Sequence, residues 1–151
     1  MPSGTKKIDN YAFDGCTSLV SVTGIENVTS VGTYAFRNCT SLESIAWPAN
    51  AKTISDYAFD GCTSLVSVSG TDNVTTINAY AFRNCTSLIT VANTANVTTI
   101  GNYAFYGCTS LKSLTAADKV TTIGTHAFEG CTAFSNFSFP VLNSVGSYAF
   151  T

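Results

Sequence analysis

Charged side chains are scarce in this sequence. Lys and Arg number 7, Asp and Glu number 9, and together they make up 11% of the 151 residues, against about 25% in an ordinary soluble domain. The formal net charge is −2 and no run of basic residues occurs. Because proteins that bind nucleic acid carry a basic patch or stripe, the sequence predicts no nucleic-acid partner.

Long hydrophobic runs are absent as well. A membrane-spanning helix needs about 20 consecutive apolar residues, and no stretch approaches that length. The segment from Met1 to Lys7 carries no hydrophobic signal region. The sequence therefore predicts no membrane span, and it indicates either a cytosolic protein or one whose leader was removed.

Histidine occurs once, at His126. Catalysis by a histidine requires a nucleophile and an orienting acid within hydrogen-bond reach. Cys131 is expected to face the core and Glu129 to be one of several surface charges, so neither is a suitable partner. The sequence predicts no enzyme, no catalytic residue and no cofactor.

What the sequence does contain is a repeat of 23 residues built around the triplet Tyr-Ala-Phe. The triplet begins at Tyr11, Tyr34, Tyr57, Tyr80 and Tyr103, recurs with His126 in the tyrosine position, and comes one residue early at Tyr148. A period of 20 to 50 residues is typical of solenoids, in which neighbouring units complete each other's core. We predict a single domain over residues 1–151, with six strand-containing repeats, a partial one and uncapped ends.

The six cysteines follow the same period. They are Cys16, Cys39, Cys62, Cys85, Cys108 and Cys131. Equivalent positions of a stack point in parallel, so their Cβ atoms do not converge to the roughly 3.8 Å that a disulfide needs. Tetrahedral zinc is excluded for the same reason, and no C-x-x-C pair exists. The sequence predicts six buried, reduced thiols and no metal site.

Within each repeat the spacing of apolar residues predicts a short helix and a short strand. Ala35, Phe36, Cys39 and Leu42 fall on one face of a helix of about two turns. Period-two alternation through Ile45 then predicts a strand, which ends at a proline because proline cannot donate to a ladder.

Three rows of apolar side chains follow from stacking these units. The strand row is Val22, Ile45, Val68, Val91, Leu114 and Phe137. The turn row is Ile8, Val31, Ile54, Ile77, Ile100, Ile123 and Val145. The helix row is Phe13, Phe36, Phe59, Phe82, Phe105, Phe128 and Phe150. Together they are the predicted core.

Two cassettes of the repeat resemble a known family. Residues 42–48 read L-E-S-I-A-W-P, and residues 97–105 read V-T-T-I-G-N-Y-A-F. Both are similar to the BspA-like leucine-rich repeats of bacterial surface proteins and of some parasitic protists. The resemblance implies an α/β solenoid, with a parallel sheet on the concave face and short helices on the convex face. It also implies a secreted or cell-surface adhesion module without catalytic machinery.

The outward positions of the predicted strands are the candidate binding site. They are Ser21, Thr23, Ser44, Ala46, Ser67, Ser69, Thr90, Ala92, Ser113, Thr115, Asn136 and Ser138. Such a strip of small hydroxyls on a concave face is a platform for a protein or glycan partner, since solenoids use extended concave surfaces for binding. The alternative is that small polar residues are merely what a concave surface tolerates.

Opposite charges occupy the position after each phenylalanine. The row reads Asp14, Arg37, Asp60, Arg83, Tyr106 and Glu129. Neighbours in a stack lie about 5 Å apart, which predicts a ladder of surface ion pairs worth roughly 0.2–1 kcal/mol each.

The ends of the chain suggest a second function. Residues 5–8 enter partway through a repeat and Thr151 follows directly on Tyr-Ala-Phe. Uncapped ends leave apolar cross-sections and unpaired strand edges, which promote association. The sequence therefore predicts either a segment of a longer repeat protein or a structural protein that self-associates end to end.

Overall fold

The structure is a computed structural model that describes residues 1–2, 4–135 and 138–151. Within them the chain winds into a parallel β-solenoid whose successive coils repeat every 23 residues. Each coil has three sides. Two of them carry short strands and the third carries the Tyr-Ala-Phe segment, which consists of turns.

Eleven short strands occur among the described residues. They are β1 (Lys7–Ile8), β2 (Ser30–Val31), β3 (Ser44–Ala46), β4 (Thr53–Ile54), β5 (Ser67–Ser69), β6 (Thr76–Ile77), β7 (Thr90–Val91), β8 (Thr99–Ile100), β9 (Ser113–Leu114), β10 (Thr122–Ile123) and β11 (Ser144–Val145).

The first sheet contains β3, β5, β7 and β9 in that order, and all its neighbours are parallel. Its register places Ile45 opposite Val68, then Val91 and Leu114. This confirms the predicted strand row from Ile45 to Leu114. Val22 is partly buried but lies outside the assigned strands, and Phe137 lies outside the described residues.

The second side of the coil corrects the sequence prediction, because the predicted turn row is made of strands. β4, β6, β8, β10 and β11 form a parallel sheet, and β1 pairs with β2. Each of these strands has only two residues, and in every strand except β11 one of the two is buried. Alternation with period two cannot be recognised over so short a length, so the pattern was indistinguishable from a turn.

The predicted helices are wrong. None occurs in the described part of the chain, and the residue at each tyrosine position has a positive φ, from 55° to 61°. A second positive φ follows four residues later, as at Asn38 and Gly61. Side-chain-bearing residues adopt the left-handed region only singly, and a right-handed helix cannot continue through it. The helical spacing of the apolar residues therefore arises from consecutive turns.

Hydrogen bonds in these turns alternate between two kinds of partner. The Phe36 N–H donates to the carbonyl of Ala58 in the next coil at 3.0 Å, whereas the Arg37 N–H donates back to Tyr34 in its own turn at 3.2 Å. The Asn38 N–H again crosses to the next coil, to Asp60 at 2.8 Å. The backbone N–H and C=O groups thus find hydrogen-bond partners in neighbouring coils, whereas in a helix they would pair within the helix.

The family resemblance implied a concave sheet together with helices on the convex face. A helix is about 10 Å wide with its side chains, whereas stacked strands lie about 4.8 Å apart, so helices on one side would force a stack to bend. The turns on that side are hydrogen-bonded from coil to coil in the same way as the strands. They therefore give the stack no such reason to bend.

The core contains the inner members of the rows that the sequence predicted, whereas Val145 and Phe150 are 51% and 39% exposed. Phe36, Phe59, Phe82 and Phe105 have no exposed surface. Neighbouring rings from Phe13 to Phe150 stack with centroids 5.2–5.6 Å apart and planes within 9° of parallel. Repetition thus gives a continuous column of aromatic rings along the solenoid.

The cysteines lie beside this column, and all six are free. The thiols of Cys39, Cys62, Cys85, Cys108 and Cys131 each donate to a phenylalanine carbonyl of the preceding coil, at 2.9–3.1 Å. Burial is uneven, however: Cys16 is exposed and Cys131 is partly exposed. The prediction of six inaccessible thiols is therefore wrong for these two, because each lies towards one end of the stack.

Thiol labelling of the native protein is expected to separate three classes. Cys16 should react fast, Cys131 slowly, and the other four only after unfolding. The thiolate is the reactive form, and burial raises the pKa of Cys131 to about 12 and that of Cys85 and Cys108 above the usual value. Mass spectrometry of timed alkylation measures the order. A Cys16→Ser control should have no fast thiol, and labelling of Cys85 at the rate of Cys16 would contradict the packing described.

Candidate functional site

We define the strand face as the outward side chains of the first sheet and of the residues directly before and after its strands. Parallel pairing aligns Ser44, Ser67, Thr90 and Ser113 in one row. A second row begins with Ala46 opposite Ser69. None of these residues is buried, so the structure brings together the central part of the strip that the sequence singled out.

The other members of the predicted strip lie at its margins. Ala92 and Thr115 follow β7 and β9 directly, and both are at least partly exposed. Ser21, Thr23 and Ser138 are exposed but lie outside the assigned strands. Asn136 lies outside the described residues. The sheet itself therefore spans four coils.

Sequence reasoning missed a row of larger side chains on this face. Val66 and Ile89 are 41% and 39% exposed and occupy the same position in neighbouring coils. The Ile89 N–H donates to the Val66 carbonyl at 2.9 Å, which fixes the two side by side. Glu43 precedes them in the row and Lys112 follows, held by N–H···O bonds of 2.8 and 3.1 Å.

The signal for this row was present in the repeat. Each of its members follows the buried leucine of the Thr-Ser-Leu motif, as Val66 follows Leu65. An apolar residue directly after a buried one must point outward unless the chain turns. The position was overlooked because its residues differ from coil to coil, whereas hydroxyl side chains recur at most positions of the strip.

Polar groups beneath the strand face are mostly satisfied. Thr71 and Thr94 have no exposed surface, and their hydroxyls donate to the carbonyls of Ala92 and Thr115 in the next coil. The Thr90 hydroxyl oxygen is buried without a hydrogen-bond partner among the described residues. Such a group costs about 1–3 kcal/mol.

The third side of the coil carries the Tyr ladder, which we define as the stacked rings at the first position of each Tyr-Ala-Phe triplet. It comprises Tyr11, Tyr34, Tyr57, Tyr80, Tyr103, His126 and Tyr148. Neighbouring centroids lie 4.5–5.0 Å apart, with planes within 20° of parallel. Stacking of this kind contributes about 0.5–1.5 kcal/mol per pair beyond the buried area.

Ion pairs flank the Tyr ladder, but they form isolated pairs and no continuous ladder links them. Arg37 binds Asp14, and Arg83 binds Asp60, each through two hydrogen bonds of 2.6–2.8 Å. The Arg37 hydrogen bonds hold the pKa of Asp14 below its usual value. The pairing follows the 46-residue period of alternating aspartate and arginine, so the predicted continuous ladder is replaced by one pair per two coils.

His126 is part of the Tyr ladder and interacts with Glu129 through its Nδ1 atom. The sequence analysis treated Glu129 as one more charge of the ladder, whereas it is the partner of His126. The Cys131 thiol donates to the Phe105 carbonyl, and no described contact joins it to the imidazole. The geometry thus provides a contact between an imidazole and a carboxylate, and no described contact adds a nucleophile to it.

The described residues lack two kinds of feature. They contain no helix long and apolar enough to cross a membrane. They also contain no group of three or more His, Cys, Asp or Glu side chains that could hold a metal ion.

Solved structures of bacterial leucine-rich repeat proteins resemble this solenoid. A leucine-rich cell surface protein of Faecalibacterium prausnitzii is 34% identical, with a TM-score of 0.86 over 97% of this chain and 40% of its own. A leucine-rich repeat protein of T. pallidum is 31% identical, with a TM-score of 0.84 over 94% of this chain and 67% of its own. The chain thus spans less than half of the first and about two thirds of the second.

A third, more distant structure is a leucine-rich repeat protein of Eubacterium ventriosum. It is 27% identical, with a TM-score of 0.60 over 99% of this chain and 35% of its own. A comparison with curated protein sequences finds no match. The family model of the BspA-type leucine-rich repeat region, in six copies, matches residues 1–111 and 98–151. The chain therefore belongs to the BspA-type leucine-rich repeat family.

Proposed function

We propose that the chain is a non-catalytic binding scaffold whose strand face docks a protein partner. The observation that carries the proposal is the pair of exposed apolar side chains, Val66 and Ile89, set side by side directly before β5 and β7. Singly scattered apolar residues on a surface are ordinary, whereas contiguous apolar patches rimmed by polar residues mark interaction sites, and this pair is a small patch of that kind.

The surroundings of this pair have the composition of a protein interface. Apolar side chains lie at the centre, small hydroxyls adjoin them, and the charges of Glu43 and Lys112 lie at opposite sides. Interfaces combine a less charged centre with a polar rim in this way. Binding over Ser67 and Ser69 also costs little side-chain entropy, because serine has few rotamers.

The F. prausnitzii relative is a cell surface protein, which supports the further proposal that this chain acts in adhesion at a cell surface. A glycan partner, which the sequence predicted alongside a protein, is favoured less because the centre of the strand face has no aromatic ring. Self-association remains a prediction, and sedimentation at several concentrations tests it.

Ser69→Arg is expected to abolish partner binding without unfolding the protein, because it places a long cation on the surface where the partner would have to dock. The measurement is binding of the purified chain to immobilised extracellular-matrix proteins and to a glycan array. Thr75→Arg is the matched control: Thr75 is exposed in the same coil but lies next to the second sheet.

The two variants give opposite results if the proposal holds. Loss of binding in Ser69→Arg, with binding kept in Thr75→Arg, supports the strand face. Equal loss in both, or unchanged binding in Ser69→Arg, would place the partner elsewhere. Binding to glycans alone would replace the protein partner by a glycan.

A further inference from the structure

A shallow depression interrupts the third side of the solenoid beside the Tyr ladder. Its volume is about 460 Å³, within the range of small-molecule sites. Six residues line it: Tyr80, Arg83, Tyr103, Tyr106, His126 and Glu129. The depression is on another side of the coil from the strand face and does not depend on the function proposed for that face.

Tyr106 is what makes this region differ from the rest of the stack. Its position holds Asp14, Arg37, Asp60 and Arg83 in the earlier coils. The Tyr106 ring is inclined by 53° to that of Tyr103, with centroids 5.7 Å apart. It therefore stands outside the parallel stack and is only partly buried, whereas the ladder rings cover one another's faces.

The charged side chains around Tyr106 already have partners. Arg83 uses its Nε and one terminal nitrogen to bind Asp60 at 2.8 Å, and its guanidinium also lies over the rings of Tyr57 and Tyr80. Glu129 interacts with His126. An anionic ligand would face Glu129 and a cationic one would face Arg83, so the site favours a neutral molecule.

We propose that this depression binds a neutral pyranose unit of a glycan, with its sugar ring on Tyr106. A pyranose presents C–H groups on one face and hydroxyls around its rim. The C–H groups match the negative face of an aromatic ring. Arg83 supplies a donor on one side of Tyr106, Glu129 an acceptor on the other, and the neighbouring phenols can do both.

The shape of the site agrees with this ligand class. A depression open at the surface and lined by several coils lets a sugar chain continue past it in either direction. A purely apolar ligand would cover the phenol hydroxyls and the second carboxylate oxygen of Glu129 without offering them hydrogen bonds, which is costly. A sugar replaces the water on these groups with its own hydroxyls.

Calorimetric titration with soluble neutral oligosaccharides tests the proposal. The probes are cellohexaose, xylohexaose and mannohexaose, with a galacturonate hexamer as the anionic comparison. We expect at least one neutral probe to bind at millimolar concentration, and Tyr106→Asp to weaken it by roughly tenfold or more. Aspartate is the residue that other coils carry at this position, so the variant should fold.

Two further variants test which feature of the depression binds the sugar. Tyr106→Phe keeps the ring face and should keep most of the affinity. Ser69→Arg changes only the strand face and should leave oligosaccharide binding unchanged, which separates this proposal from the function proposed above. Failure of every neutral probe to bind, unchanged binding in Tyr106→Asp, or tighter binding of galacturonate would each overturn the proposal.

Discussion

Replacing Phe82 by alanine is expected to lower the free energy of unfolding by about 3–5 kcal/mol. The Phe82 ring has no exposed surface and stacks on Phe59 at 5.3 Å and on Phe105 at 5.2 Å. The variant loses the transfer free energy of the ring, two aromatic contacts and the packing around the cavity that remains. Neighbouring coils cannot close that cavity, because their hydrogen bonds set the distance between them.

The same variant is expected to reduce cooperativity. In a solenoid each coil contacts only its neighbours, so stability is a sum of coil and interface terms. Phe82 lies near the middle of the stack, and its loss weakens two consecutive interfaces. The parts before and after it can then unfold at different urea concentrations, which lowers the apparent m value.

Urea titration followed by two signals measures both effects. Trp47 is the single tryptophan, and it packs edge-on against Phe59 at 5.6 Å, so its fluorescence reports on the earlier coils. Circular dichroism reports on the whole chain. Non-coincident transitions would show that the two parts have uncoupled.

Two variants calibrate the result. Phe82→Leu keeps most of the volume and should cost much less than alanine. Phe150→Ala removes a ring of the same column that is 39% exposed, so its loss should also be smaller. Equal losses for Phe82→Ala and Phe150→Ala would show that burial in the column is not what stabilises the fold.

The column could be predicted because it needs only the period. Residues 23 apart in a solenoid occupy equivalent positions, so Phe59, Phe82 and Phe105 must stack whatever the local backbone does. The same argument predicted the strand row and the alignment of Ser44, Ser67 and Thr90. Burial, by contrast, also depends on whether a coil lies inside the stack or at one end of it. For this reason the exposure of Cys16 was not predicted.

The backbone of the third side could not be predicted in this way. The spacing of Ala35, Phe36, Cys39 and Leu42 fits one face of a helix, and it fits consecutive turns equally well. What decides is the positive φ at Tyr34, and tyrosine is not a residue from which a positive φ is expected. The better signal was Asn38, at a position that holds asparagine or glycine in each coil from Gly15 to Gly130, since both residues tolerate that conformation.

The candidate site, too, could be predicted only in the features that repeat from coil to coil. Repetition identifies the residues that every coil shares, such as the hydroxyls of the strand face. Binding surfaces depend on the coils that differ, as Val66 and Ile89 do from Glu43, or Tyr106 from Asp60. The repeat consensus does not contain these differences. They were recognised only when the structure showed which variable positions are exposed and adjacent.

Arg83→Ala is expected to lower the free energy of unfolding by about 2–4 kcal/mol. The Asp60 side chain is only 8% exposed and receives two hydrogen bonds from Arg83. Removing one partner of a buried pair leaves an uncompensated charge, which costs about 3–5 kcal/mol when burial is complete. The Arg83 side chain is 36% exposed, so water can reach the gap and the expected loss is smaller.

Arg37→Ala is the matched control, because the same two hydrogen bonds join Arg37 to Asp14. The Asp14 side chain is 23% exposed, so water can solvate its carboxylate once the arginine is gone, and the loss should be clearly smaller. Chemical denaturation of both variants measures the difference. Equal losses would mean that burial of the aspartate does not matter.

The double variant Asp60→Ala/Arg83→Ala separates the pair from its burial cost. If the loss in Arg83→Ala comes mainly from the orphaned carboxylate, removing that carboxylate as well should restore part of the stability, and the two losses should not add. Additive losses would instead show that each side chain stabilises the fold through its own packing, such as the contact of Arg83 with the rings of Tyr57 and Tyr80. Because the first outcome makes Arg83 a partner that Asp60 requires, it would also explain why aspartate and arginine occur together, two coils at a time, in the first four coils.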